Sequence, residues 1–147
     1  MAVALSMLVE PRVVTDCPCD LHLCSCPTCF PRRVRLTEPG EYQRVFKHTG
    51  YRLSNRWMTL LAVRNQCGHP RLGMALSRKS VHNAVTRNRV KRLMRESFRH
   101  WQAHLGAVDI VLLARPGIAD QSGKTLNAAL EKLWEQLIER CAGSSSN

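Results

Sequence analysis

The stretch TRNRVKRLMRESFR, Thr86–Arg99, holds six basic residues and one acid in fourteen positions, with apolar residues threaded between them. At about 100° per residue, Val90, Met94, Phe98, Trp101 and Leu105 fall in one stripe, and Leu93 widens it. Asn88, Lys91, Arg92, Arg95 and Arg99 lie on the other side or at the stripe's edge, and Arg89 flanks it. Arg87 shares the stripe's angle but sits in the first turn, before the apolar run begins. The pattern predicts a helix from about Asn83 to His104 with one buried face and one face of fixed positive charge. A solvated helix face normally mixes signs. Here Glu96 is the only acid, so like charges crowd one another at three- and four-residue spacings. A polyanion that releases counterions on binding would more than offset that cost.

Arginine dominates this face. A guanidinium makes bidentate hydrogen bonds to phosphate, where lysine acts as a point charge. Asn88, between two arginines, adds a neutral donor and acceptor suited to a sugar hydroxyl or base edge. Charge alone does not choose between a DNA groove and the phosphates of a folded RNA.

The whole chain has 147 residues and a formal net charge of +11. The first thirty carry Arg12 against Glu10, Asp16 and Asp20, a net of −2, so residues 31–147 carry +13. This basic concentration points to nucleic acid or an anionic surface. No run approaches the roughly eighteen apolar residues of a spanning helix, so no membrane partner is expected. The opening MAVALSMLVEP lacks a basic stretch and a cleavage site, so a signal peptide is not expected. Cys17, Cys19, Cys24, Cys26 and Cys29 crowd one short segment with His22, while Cys67 and Cys141 stand alone. A secreted disulfide scaffold spreads its cysteines through the fold, so a reducing cytoplasm is expected. The five clustered thiols are weak zinc candidates. Their spacing is not the paired C-x-x-C of a ribbon or finger, and a tail of free thiols is the competing reading.

Three regions are expected: a cysteine-rich, disordered extension at 1–31, a folded domain at 32–141 and a disordered tail at 142–147. Within the domain, Thr37 reads as the cap of a short helix that ends before Gly50, with Tyr42, Val45 and Phe46 on one face. Arg56–Arg64 and Arg71–Ser77 read as strands joined in a hairpin, with Gly73 permitting a close backbone approach. Val108–Ala114 is a buried-strand run, and Gly123–Arg140 is an amphipathic helix. The order gives an α+β sandwich with one sheet.

The run Ser77–Glu96, SRKSVHNAVTRNRVKRLMRE, resembles the signature of the bacterial ribonuclease P protein subunit. Arg-Asn-Arg opens the long helix, followed by Lys-Arg and Arg-Glu. Phe46 before Gly50, Asn55-Arg56 before a strand, Gly73 before Ser77-Arg-Lys79, and Leu113-Ala-Arg-Pro-Gly117 match in order. The likeness covers about residues 32–140. It implies a single four-stranded sheet with three helices in the order α-β-β-β-α-β-α, with a left-handed crossover through the long helix, an exception to the usual hand. It implies a protein cofactor of ribonuclease P, partnered by a catalytic RNA and by precursor tRNA, whose 5′ leader the holoenzyme removes. Magnesium, bound mainly by the RNA, carries the chemistry, and no obligate protein partner is implied.

By position, Arg87, Asn88, Arg89, Lys91, Arg92 and Arg95 would contact the catalytic RNA. Tyr42, Phe46, Arg52, Thr59, Leu61 and Lys79 would line a cleft for the single-stranded leader. Where this chain has Thr59 and Leu61, the family often has an aromatic or bulkier apolar residue. No catalytic residue is expected in the protein: there is no H-E-x-x-H, no paired carboxylates and no triad. A structural RNA-binding protein of the ribosomal type is the alternative. A DNA-binding regulator would need a short helix and tight turn ahead of the recognition helix, where this chain has strands.

The charged face makes a first prediction. Replacing Arg87 and Arg89 together by Ala should weaken RNA binding while the circular dichroism stays unchanged. Unaltered affinity in a folded variant would remove the role assigned to this helix.

Overall fold

A computed structural model describes residues 30–143. Helix α1 spans Pro39–Lys47 and is followed by strands β1 (Tyr51–Ser54), β2 (Met58–Arg64) and β3 (Arg71–Ala75). Helix α2 spans Ala84–Trp101, strand β4 Val108–Ala114 and helix α3 Gly123–Gly143, with short 3-10 turns at Arg32–Val34 and Ile118–Asp120. The three helices and single four-stranded sheet agree with the expected α+β class and element order. Phe30 packs edge-on against Phe98, and α3 runs to Gly143, two residues past the expected domain at each end, while residues 144–147 of the expected tail lie outside the described residues. The clustered cysteines and the rest of the extension lie outside the described residues.

The sheet order is β1-β2-β4-β3. β2 is antiparallel to both β1 and β4, whereas β3 runs parallel to β4. The expected hairpin between the Arg56–Arg64 and Arg71–Ser77 segments therefore does not form: β4 lies between them. The physical reason is the character of β4. Val108, Ile110, Val111 and Leu112 are buried, so this strand needs a neighbour on each edge and cover on both faces. β3 takes the outer place, and its free edge is closed by the segment before α1. There the Leu36 amide donates to the Leu72 carbonyl at 3.0 Å. β1 was not legible as a strand of its own. It pairs with β2 from Tyr51 opposite Ala62 to Ser54 opposite Thr59.

Local capping follows side-chain chemistry. Asn83 caps α2, its Oδ1 accepting from the Val85 amide at 2.9 Å. The helix ends at Trp101, short of the expected His104. α1 starts one residue later than expected, with Glu38 rather than Thr37 at the cap. The Glu41 carboxylate accepts from the amides of Thr37 and Glu38, filling donors that the helix leaves open.

The main core lies on the α2–α3 side of the sheet. Leu60, Ala62, Leu72, Ile110 and Leu112 meet Val90, Met94 and Phe98 of α2 and Leu130, Leu133, Trp134 and Leu137 of α3. The predicted apolar stripe of α2 is thus the buried one, with Trp101 and Leu93 at its half-buried border. Trp134 Nε1 donates to Ser97 Oγ at 2.9 Å, which satisfies both polar groups inside the core. Asn55 locks the sheet to α3. Its Oδ1 accepts from the amides of Trp57 and Met58, and its Nδ2 donates to the Ala129 carbonyl. On the opposite face a smaller cluster, Leu36, Val45, Leu61 and Val111, seats α1.

One polar network fixes that second layer. Arg71 donates through Nε and Nη2 to the two Asp109 oxygens, at 2.8 and 2.7 Å, and through Nη1 to Glu41 of α1. Asn65 Nδ2 also donates to Asp109 Oδ1, at 2.7 Å. Burial pushes the Asp109 carboxyl upward, but the hydrogen bonds from Arg71 and Asn65 and the nearby charges of Arg71 and Arg44 outweigh it, so its pKa lies below the ordinary value. For Glu41, burial is likewise outweighed by the amides of Glu38 and Thr37 and by Arg71, with the same direction.

Both carboxylates therefore stabilise the fold at pH values above their ordinary 3.8 and 4.5, and that contribution is lost as pH falls through the lowered folded values. Arg71→Met should cost about 3–5 kcal/mol in urea unfolding at neutral pH, because it strands a buried carboxylate. It should also flatten the loss of stability below about pH 4.5. A variant as stable as the parent would show that the network is dispensable.

Candidate RNA interface

Two surfaces carry the candidate residues. The first is the outward face of α2. Asn88, Arg89 and Arg92 are exposed, while Arg87, Lys91 and Arg95 are half-buried. Their surroundings differ. Arg87 Nη2 donates to the carbonyls of Val81 and His82, and Arg89 Nη2 donates to those of Ala119 and Gln121. These two arginines thus tie the first turns of α2 to the loops on either side of it. Replacing them removes loop anchors as well as charge, so the expectation of an undisturbed fold for that double substitution needs correcting. Lys91 and Arg92, by contrast, make no ion pair or hydrogen bond among the described residues and present bare charge.

Arg95 stands in a crowd of like charge. Burial lowers its pKa, and the positive charges of Arg35 and Arg92 lower it further. Arg35 reaches this place from the segment before α1. Its guanidinium lies 5.0 Å from the Phe30 ring centroid and donates to the Phe30 carbonyl, and Phe30 leans on Phe98 one turn beyond Arg95. Arg35 was not among the sequence candidates, because 60 positions separate it from Arg95. At the far end of the helix, Arg99 pairs with Glu96 at 2.8 Å, so its charge is partly neutralised.

The second surface is the sheet face beneath α1. The pleat places Thr59 and Leu61 of β2 on it, with Val111 and Leu113 of β4 and Gly73 and Ala75 of β3. Arg52 stands opposite Leu61 in the β1–β2 register. Tyr42 is half-buried. Its ring lies where a side chain on Gly73 would be, 2.8 Å from an ideal Cβ, and its hydroxyl accepts from the Met74 amide at 3.2 Å. Phe46, one turn on, is 46% exposed, an unusual state for a phenylalanine. Thr59 and Leu61 are buried and form the floor. Lys79 is exposed in the turn after β3, where Ser80 Oγ donates to the Ala114 carbonyl and holds that turn against the end of β4. Tyr42, Arg52, Thr59 and Leu61 thus share one face, Phe46 follows Tyr42 one turn along α1, and Lys79 stands at the end of the sheet. The arrangement offers an aromatic wall, an apolar floor and cations at the rim, which suits an extended single strand.

Sequence reasoning missed the Arg71–Asp109–Glu41 network that ties α1 to β3 and β4. One signal was present: Asp109 is a lone acid inside an apolar strand, and a buried carboxylate demands a cation. Among the described residues, no three His, Cys, Asp or Glu side chains converge into a set able to hold a metal ion. Nor is any helix among them long and apolar enough to cross a membrane.

Comparison with known proteins agrees with this architecture. The family model described as Ribonuclease P matches residues 30–138. The ribonuclease P protein component of Methylococcus capsulatus is 51% identical over 117 residues, 80% of this chain and 91% of that protein. That of Escherichia coli strain HS is 43% identical over 115 residues, 78% of this chain and 96% of its own. Among solved structures, the Staphylococcus aureus RNase P protein superposes with a TM-score of 0.65 at 31% identity, covering 69% of this chain and 93% of that one. The Thermotoga maritima protein gives 0.62 at 27% identity, with 69% and 96% covered.

The seating of Tyr42 yields a prediction. Gly73→Ala should push the ring off the sheet and cost about 1–3 kcal/mol in chemical unfolding. Adding Tyr42→Leu should recover part of that loss, and strict additivity of the two changes would show that the contact does not hold the cleft.

Proposed function

The chain belongs to the ribonuclease P protein family, and from that premise we propose that it binds the catalytic RNA through α2 and the 5′ leader of precursor tRNA in the cleft beneath α1. As the family's protein component it is a subunit of the ribonuclease P holoenzyme, an endoribonuclease that acts in tRNA processing. The observation that carries the finer reading is the separation of its two surfaces. One is a helix face of exposed and half-buried arginine, lysine and asparagine without neutralising acids at its centre. The other is a cleft with an exposed aromatic over an apolar floor.

The two surfaces divide the work by chemistry. Lys91, Arg92 and Arg95 neutralise phosphates of a folded RNA, and Asn88 meets a sugar hydroxyl or base edge. Arg87 and Arg89 do so with the donors left over from their carbonyl bonds, which hold each guanidinium in place. In the cleft, Phe46 supplies a stacking surface and Arg52 and Lys79 draw in the leader phosphates. Thr59 and Leu61, buried as they are, shape the floor. Tyr42 gives the wall its position and its half-exposed edge. Magnesium held by RNA phosphates supplies the activated water when bound. The protein orients the leader and neutralises RNA charge, which lowers the magnesium needed. The holoenzyme works in the cytoplasm.

The test is cleavage of precursor tRNA at low magnesium by a bacterial ribonuclease P RNA, with and without this protein. A clear gain in correct 5′ cleavage is expected, absent when the protein is incubated without the RNA. No gain, together with tight binding to other structured RNA, would favour a structural RNA-binding protein. In the same system Lys91→Ala with Arg92→Ala should weaken RNA binding and reduce the slope of log affinity against log salt by about 1.5. An unchanged slope would take those two residues off the interface.

A further inference from the structure

A third cationic surface lies away from the outer face of α2 and from the cleft floor. Arg56 and Trp57 precede β2, and Arg115, Pro116 and Gly117 follow β4, at the end where Met58 pairs with Ala114. The Arg56 guanidinium lies 4.8 Å from the Trp57 ring centroid. The Arg115 amide donates to the Trp57 carbonyl at 2.9 Å, and its Nη1 donates to the Asn55 carbonyl at 3.0 Å. Gly117 has a φ of 90°, a left-handed conformation, and turns the loop so that an added Cβ would lie 3.6 Å from Trp57 Cζ3. Two exposed arginines thus flank one half-buried tryptophan. Among the described residues neither arginine has a carboxylate partner. This assembly is continuous with the proposed RNA face. Arg89 of α2 donates to the Ala119 and Gln121 carbonyls of the loop that carries Arg115, and Ser80, just before α2, donates to Ala114.

We propose that Arg56, Trp57 and Arg115 form a stacking site for an unpaired nucleotide of the catalytic RNA, extending the α2 interface around the end of the sheet. The inference rests on the reading of α2 as the face toward that RNA. The base stacks against Arg56 and the exposed part of Trp57, and the adjoining phosphate takes the free donors of Arg115. A tryptophan needed only for packing has no use for two uncompensated guanidinium groups at its border. An RNA strand uses all three. Continuity with α2, rather than with the cleft, assigns the site to the catalytic RNA instead of the leader.

The experiment measures affinity of the full-length protein for a bacterial ribonuclease P RNA over a range of salt concentrations. Trp57→Ala, Trp57→Phe and Arg56→Gln are compared with the parent, with thermal unfolding recorded alongside. Trp57→Ala should weaken binding on the order of tenfold, and Trp57→Phe should retain most of the affinity. Arg56→Gln, an exposed position that leaves the core untouched, should lower the salt slope by about 0.7–0.9, and it carries the test if Trp57→Ala is unstable. A parent-like salt slope in Arg56→Gln, or parent-like affinity in a folded Trp57→Ala, would overturn this site alone. Failure of the parent to bind the RNA would overturn it together with the reading of α2.

Discussion

Arg71 is the point on which the second layer of the molecule turns. It starts β3, grips Asp109 at the start of β4 with two donors, and reaches Glu41 of α1 with a third. One guanidinium thus joins the parallel strand pair and the helix lying above it. Glu41 simultaneously satisfies the open amides at the start of α1, so the helix is capped and docked by the same carboxylate. Asn65 shares Asp109 and also donates to the His69 carbonyl, which holds the β2–β3 loop to the same centre. A buried ion pair gives little net stability because its desolvation is costly. Its effect here is geometric: strand pairing and helix placement meet their polar demands in one arrangement.

That arrangement shapes the cleft. With the start of α1 held at Arg71, Val45 drops into the small core with Leu36, Leu61 and Val111. Tyr42 settles over Gly73, where any larger residue would collide with it. Phe46, one turn further along α1, stays exposed. An exposed aromatic ring is costly in solvent, and a flat group that covers it would offset that cost.

The basic residues separate into those the fold uses and those it leaves available. Arg71 is consumed by carboxylates. Arg87, Arg89 and Arg115 are pinned by backbone carbonyls yet keep donors to spare. Lys91 and Arg92 are unspent. Arg35, Arg92 and Arg95 are held near one another, and burial together with the charges of Arg35 and Arg92 lowers the Arg95 pKa. A fold selected for stability alone would disperse them. Their concentration around α2 and the end of the sheet is the electrostatic counterpart of a phosphate-rich partner.

The chain's own pattern determined the long basic helix, its buried stripe, the apolar strand at Val108–Ala114, the amphipathic final helix and the motif that marks the family. Each of these is periodic or local, so spacing along the chain is enough to reveal it. Tertiary structure alone decided which strands are neighbours. Adjacent segments suggested a hairpin, but the burial of β4 on both faces placed it between β2 and β3. Only the folded chain could bring Arg35 to Arg95, Arg71 to Asp109 and Glu41, and Arg115 to Trp57. These partners lie from 30 to 60 positions apart, and no local periodicity links them. The same limit applied to Arg87 and Arg89, whose charge was plain from the sequence. Their anchoring to loop carbonyls depends on where those loops fall once the sheet has closed.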